Sequence, residues 1–167
     1  SVPETGTVQL TANAIVLDDG SLLLIDTNSV AWSVALGPLA GIDAAGLATA
    51  DVVFQDTLAT AQGSFEGTTG TVDVTVLDTE PDNFGGYAGD KLPDIWQVTH
   101  FGNPPNPDAA PGANPEGDLF NNRFEFGSGT DPNAATSDFL TADLGAGTFT
   151  PGVPVVHVEF SPLRVTY

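Results

Sequence analysis

The sequence predicts a mainly β protein: an antiparallel β-sandwich, then a short two-helix segment, then further β-strands. Three observations point there. From Thr7 to Leu77 short stretches alternate polar and apolar residues and are broken by Gly, Asp and Asn, as strands buried on one face do. From Asp78 to Asp138 Pro, Gly, Asn and Asp dominate, with only two patches of helical periodicity. Beyond Asp138 the β character returns. A chain of 167 residues suffices for one medium domain or two small ones. We divide it into a sandwich over residues 1–80, a connector over 81–138 and a β-strand tail over 139–167. Apolar residues at 41% against 15% charged separate this composition from that of hydrophobe-poor disordered chains.

Taken in order, strands are predicted at Thr7–Leu17, Ser21–Asp26, Val30–Leu36, Asp51–Gln55, Thr57–Phe65 and Thr71–Leu77. Asp18-Asp19-Gly20 separates the first two as a hairpin signal, because Asp and Gly tolerate positive φ. Glu66-Gly67-Thr68-Thr69-Gly70 reads as another turn. Val72, Val74 and Val76 share one face while Asp73 and Thr75 point the other way, so a single face is buried. Trp32, alternating with Val30 and Val34, is expected at the centre of the core.

In the connector, Leu92–His100 places Leu92, Ile95, Trp96 and Thr99 on one helical stripe, with Pro93 in the first turn and Asp94 near the positive helix end. Phe120–Phe126 pairs Phe120 with Phe124 at i and i+4 and ends at Gly127 or Gly129. Helices this short are not stable alone in water; they need each other, a metal, or both. In the tail, Ser137–Asp143, Val153–Phe160 and Leu163–Tyr167 are candidate strands, too few residues for a core of their own. The tail adds strands to the sandwich, opens a further domain, or inserts into another molecule.

A formal net charge of −19, from 22 acidic against 3 basic residues, repels a phosphate backbone and excludes nucleic acid as a partner. The most apolar stretch, Ser21–Ile25, is far too short to span a bilayer, so no membrane insertion is expected. With no cysteine, disulfides, thiolate nucleophiles and zinc-thiolate sites are absent. The missing initiator Met and signal-type leader fit a mature processed chain or an excised piece. Abundant Asp in loops suits a hard cation such as calcium.

The most informative window runs from Asn114 to Glu125. Oxygen side chains recur at the first, third, fifth, ninth and twelfth places of a twelve-residue loop entering a helix, the spacing of an EF-hand-type calcium loop. Its metal ligands would be Asn114, Glu116, Asp118, the carbonyl of Phe120, Asn122, through water or directly, and Glu125. Leu119 stands where the turn Gly belongs and Asn114 where Asp is usual. Both departures lower the affinity toward that of extracellular modules, roughly 10⁻⁴–10⁻³ M. An upstream echo, Gly86 to Gln97, retains only Asp90 and Asp94 as strong oxygen ligands, with Lys91 at the turn place and Gln97 at the twelfth. We read it as a metal-free structural copy. Asp90, Asp94 and Asp131 are secondary candidates.

The run Tyr87 to Gln97, then His100-Phe101-Gly102, the loop above and Gly129-Thr130-Asp131-Pro132 resembles the paired calcium-loop connector of large secreted bacterial proteins, related to thrombospondin type 3 and dockerin repeats; the likeness spans Gly85 to Asn133. Gly6-Thr7-Val8-Gln9-Leu10-Thr11-Ala12, Val30-Ala31-Trp32-Ser33-Val34, Ile42 to Ala50 and Ala59–Val76 resemble the bacterial immunoglobulin-like domain of group 2, found in invasin- and intimin-type surface proteins. That second resemblance implies an immunoglobulin-like Greek-key sandwich with no catalytic residues, in an extracellular, cell-surface setting.

Chemistry of other kinds finds little support. Ser128 lies in Gly127-Ser128-Gly129 rather than in a nucleophile elbow, and neither His100 nor His157 is placed as its base. Asp90 and Asp94 read better as ligands or caps than as a glycosidase pair, and Gly145-Ala146-Gly147 lacks the strand-to-helix context of a nucleotide loop. We therefore expect no enzyme, but a non-catalytic, calcium-stabilised structural or adhesive module. One bound calcium would lower the charge to −17 and ease repulsion between copies. Either Val2–Leu10 or Val153–Tyr167 could be donated to an open sheet edge of another copy, making a homo-oligomeric fibre or stalk. The alternative is a carbohydrate-binding accessory module of a secreted hydrolase, with a surface glycan as partner. Its supply of aromatics is thin, since Trp32 and Trp96 are both assigned to cores.

Overall fold

A computed structural model describes residues 1–15 and 20–135. The candidate strands Ser137–Asp143, Val153–Phe160 and Leu163–Tyr167, with His157 and the residue 139–167 tail, lie outside the described residues, as do Val16 to Asp19.

Among the described residues the fold is mainly β, with nine strands in three sheets and two short α-helices. One sheet has four strands in the order β1 (Val2–Pro3), β9 (Thr68–Leu77), β8 (Thr57–Phe65), β5 (Ala31–Leu36). A second has the order β2 (Thr7–Gln9), β7 (Leu47–Ala50), β6 (Leu39–Ile42). A two-stranded hairpin, β3 (Ala12–Ile15) with β4 (Leu22–Ile25), stands beside them. Val2 of β1, Leu39 of β6, Ala48 and Ala50 of β7, Ala59 and Ala61 of β8, and Val74 and Val76 of β9 form one buried cluster, so the first two sheets face each other across a single core. Small alanines at the facing positions let the sheets approach closely.

The strand pattern departs from the sequence reading at identifiable places. Among the described residues pairing is antiparallel except that β1 runs parallel to β9, Val2 opposite Val76. Thr5, in the left-handed region at φ 56°, and Gly6 then carry the chain to the other sheet, where the Ala50 N–H donates to the Gly6 carbonyl. The strand predicted over Thr7–Leu17 is split between β2 and β3. Asp51–Gln55 is not a strand: it crosses between the sheets, burying Val53 in the core and resting Phe54 on Phe84 at 5.4 Å between ring centroids. An unbroken apolar run served a crossing, while the shorter β6 and β7 went unread. The β8–β9 turn is only Glu66-Gly67, both at positive φ (47° and 81°), so pairing resumes at Phe65 and Thr68. Trp32 is half-buried rather than central, its Nε1–H donating to the Thr27 carbonyl.

After Leu77 the chain enters the connector, which holds α1 (Asp94–Phe101) and α2 (Asn122–Ser128). Its joint with the sandwich is Glu4, 5% exposed, whose carboxylate accepts from the N–H groups of Thr79 and Glu80 and from Asn83 Nδ2. Burial, then the nearby Glu4 charge, push the carboxyl of Asp78 above its ordinary range. The helices meet edge to face through Trp96 and Phe126 at 5.6 Å, and Arg123 Nη2 donates to the Asp90 carbonyl. The stripe expected on α1 is rotated: Ile95 is 53% exposed, while Asp94 and Gln97 are buried with Leu92 just before the helix. The polar i, i+3 pair faces inward because it has partners there. Backbone groups of Asn83, Phe84 and Ala109 offer hydrogen bonds that Ile95 could not take.

Candidate metal centre

The second loop is folded by its own polar side chains. Asn114 Oδ1 accepts from the Gly117 N–H and its Nδ2 donates to the Asp118 carbonyl, at 2.9 and 2.8 Å. Gly117, at φ 77°, takes the left-handed turn; Leu119, 92% exposed, is not left-handed. A left-handed side chain at Leu119, where the loop wants glycine, is thus avoided by placing the turn two residues earlier. Asp118 Oδ1 accepts from the Phe120 N–H at 2.6 Å, and Asn121 caps α2 by accepting from the Phe124 N–H. Phe120 stacks on Phe124 at 4.3 Å, and Gly129, left-handed at φ 74°, closes the helix on the Glu125 carbonyl.

This scaffold brings Glu116, Asp118 and Glu125 together: one carboxylate oxygen from each lies within 4.8 Å of the others. Asn122, fully buried, spends both amide protons on the carbonyls of Asp108 and Ala110, so its orientation is fixed and Oδ1 is left over. Five buried side-chain oxygens here accept no hydrogen bond: both of Glu116, Asp118 Oδ2, Asn122 Oδ1 and Glu125 Oε2. Burial first, then the charges of Glu116 and Asp118, raise the Glu125 carboxyl from its ordinary 4.5 to about 7. His100 Nδ1 lies 3.7 Å from Asp131 Oδ1, away from this group. Orphaned buried carboxylate oxygens are costly, and an oxygen-only donor set with no Lys or Arg paired to it among the described residues fits a hard divalent metal ion.

The first loop has the opposite character. Asp82 accepts from the N–H groups of Gly89, Asp90 and Lys91. Asp90 accepts from the Leu92 N–H and Gln97 Nε2. Asp94, fully buried, accepts from the N–H groups of Asn83 and Phe84 at 2.9–3.1 Å. Burial, with Asp78 and Asp82 adding to it, nevertheless raises Asp94 to about 6. Asp90 and Asp94 therefore hold the backbone, and Asp131, beside His100, also accepts from the Asn133 N–H. None of the three is gathered with Glu116, Asp118 and Glu125.

Sequence reasoning missed Glu4 and Asp82. A carboxylate serving backbone N–H groups across a loop has no motif, and only an acidic residue among turn formers hinted at Asp82. Comparison with family models, curated proteins and solved structures returns no match, so both family resemblances rest on the motifs that carry them. No helix among the described residues is long and apolar enough to cross a membrane.

Proposed function

We propose that the chain is a non-catalytic, calcium-braced structural module of an extracellular or cell-surface assembly. The observation that carries this is the set of five buried, donorless oxygens on Glu116, Asp118, Asn122 and Glu125. Calcium is favoured over magnesium because it accepts irregular all-oxygen coordination from carboxylates, amides and carbonyls, while magnesium demands near-octahedral geometry and retains water. Glu125 on α2, joined to Glu116 and Asp118 on the loop before it, would pin the helix start. Through Trp96 and Arg123 that order passes to α1 and so to the sandwich. Binding that exists only in the folded form adds to folding stability.

The carbohydrate-binding reading has less support, since Trp32 is bonded to Thr27 and Trp96 is packed among His100, Phe101 and Phe126. Thermal unfolding of the chain with calcium, magnesium or a chelator tests the proposal. Calcium should raise the melting temperature, magnesium should do so far less, and equal curves in all three would refute it.

A further inference from the structure

Residues 78–84, between β9 and α1, are held from both sides. On the sandwich side, Glu4 fixes its backbone by donating its N–H to the Leu77 carbonyl at 2.9 Å. Its buried carboxylate accepts from the Thr79 N–H, the Glu80 N–H and Asn83 Nδ2 at 2.9–3.1 Å. Asp56, just before β8, accepts from the Asp78 N–H at 2.9 Å. On the connector side, Asp94, the first residue of α1, accepts from the N–H groups of Asn83 and Phe84 and donates its own N–H to the Pro81 carbonyl at 3.0 Å. Two residues are therefore shared. Asn83 gives its side chain to Glu4 and its backbone to Asp94. Phe84, fully buried, lays its ring on Phe54 of the sandwich while its N–H goes to Asp94. Deeper in the connector, both helices grip one stretch of chain through buried amides: Gln97 Nε2 donates to the Ala109 carbonyl, and Asn122 Nδ2 to the carbonyls of Asp108 and Ala110 on either side of it. Asn122 also carries one of the donorless oxygens of the candidate metal centre. The second loop, α1 and the sandwich are thus bonded in series.

We infer that residues 78–84 form a coupling strap, clamped by Glu4, that makes the sandwich and the connector unfold as one cooperative unit. Parts joined by an exposed linker open independently. Here neither part can leave without breaking hydrogen bonds at Asn83 and Phe84, and buried polar groups left unpaired are costly. Glu4 is the positioning residue of the joint, since one carboxylate holds three successive points of the strap against the end of β9. Anything that stabilises the connector then stabilises the sandwich as well, because a ligand's free energy is shared by every part that must open with its site. An ion held at Glu116, Asp118 and Glu125 is such a ligand. This last step rests on the calcium-braced reading and deepens it, by naming the residues that carry the ion's effect out of the connector.

The chain's two tryptophans lie one in each part, Trp32 on β5 and Trp96 on α1. The full chain carrying Trp96→Phe therefore reports the sandwich by fluorescence, and the chain carrying Trp32→Phe reports the connector. In chemical denaturation with chelator, fluorescence and far-UV circular dichroism should trace a single transition in each. Calcium should raise the two midpoints by the same amount. Adding Glu4→Ala should part them: the Trp96 midpoint still rises with calcium and the Trp32 midpoint does not follow. A calcium shift confined to Trp96 while Glu4 is intact, or equal shifts that survive Glu4→Ala, would each overturn the strap and spare the metal. Single transitions in chelator that separate with Glu4→Ala yet ignore calcium would do the reverse. Hydrogen exchange of the unsubstituted chain asks the same question should Glu4→Ala fail to fold. Calcium should slow the amides of β8 and β9 together with those of α1 and α2, and slowing confined to the helices would refute the coupling.

Discussion

The two connector loops share a sequence plan and solve opposite problems. In the first, every carboxylate meets a donor: Asp82 gathers three backbone N–H groups, Asp90 two donors, and Asp94 the N–H groups of Asn83 and Phe84. In the second, both oxygens of Glu116, Asp118 Oδ2, Asn122 Oδ1 and Glu125 Oε2 are buried and meet none. The backbones are exchanged too. Lys91 holds the left-handed conformation at φ 72° where the calcium loop wants glycine, whereas the second loop, rich in ligands, moves that turn to Gly117. Acid content alone therefore does not mark a cation site. The first loop leaves single amide oxygens, Gln97 Oε1 and Asn83 Oδ1, without a donor; what sets the second apart is that its unsatisfied oxygens sit on carboxylates gathered within 4.8 Å of one another.

The sharpest way to break this contrast is to remove a carboxylate from each loop. Asp94→Ala strips acceptors from the Asn83 and Phe84 N–H groups and should cost roughly 3 kcal/mol by chemical denaturation, equally with calcium and with chelator. Asp118→Asn should cost little in chelator but forfeit the calcium gain. At a calcium concentration one hundred times the dissociation constant, that gain is about 2.7 kcal/mol. A calcium-dependent penalty at Asp94, or a calcium-independent one at Asp118, would merge the two loops into one kind.

A pH series sharpens the contrast next. The folded-state carboxyl of Glu125 sits at about 7 against an ordinary 4.5, and that of Asp94 at about 6 against 3.8. The native chain thus binds protons that the unfolded chain does not between about 4.5 and 7. In chelator, stability should fall as pH rises through that window and level off above it. Calcium must displace the Glu125 proton, so its stabilising effect should grow over the same rise and fade below pH about 7. Melting curves in paired buffers check both slopes. The smallest effect is expected from Lys91→Gly, which relieves a left-handed side chain and should add about 1 kcal/mol, independent of calcium.

Much of the architecture was legible because hydrophobic alternation and turn chemistry act locally. β8 was read to the residue at both ends, and Gly129 ends α2 as its capping role requires. Local pattern failed where tertiary partners decide. Ile95 looked inward-facing by periodicity, yet Asp94 and Gln97 took the buried face because backbone groups were waiting there. Three of the residues singled out by spacing, Glu116, Asp118 and Glu125, meet at the second loop, because one turn brings together carboxylates up to nine places apart. The clamp at Glu4 was not, for its partners at Thr79, Glu80 and Asn83 lie far along the chain.

Calorimetric titration of calcium into the chelator-treated chain at pH 8, beside Glu125→Gln, tests the central claim most directly. One ion should bind per chain, with a dissociation constant of roughly 10⁻⁴–10⁻³ M, and Glu125→Gln should abolish the heat while melting higher than the parent in chelator. Unchanged binding in that variant, or no binding to the parent, would contradict the assignment.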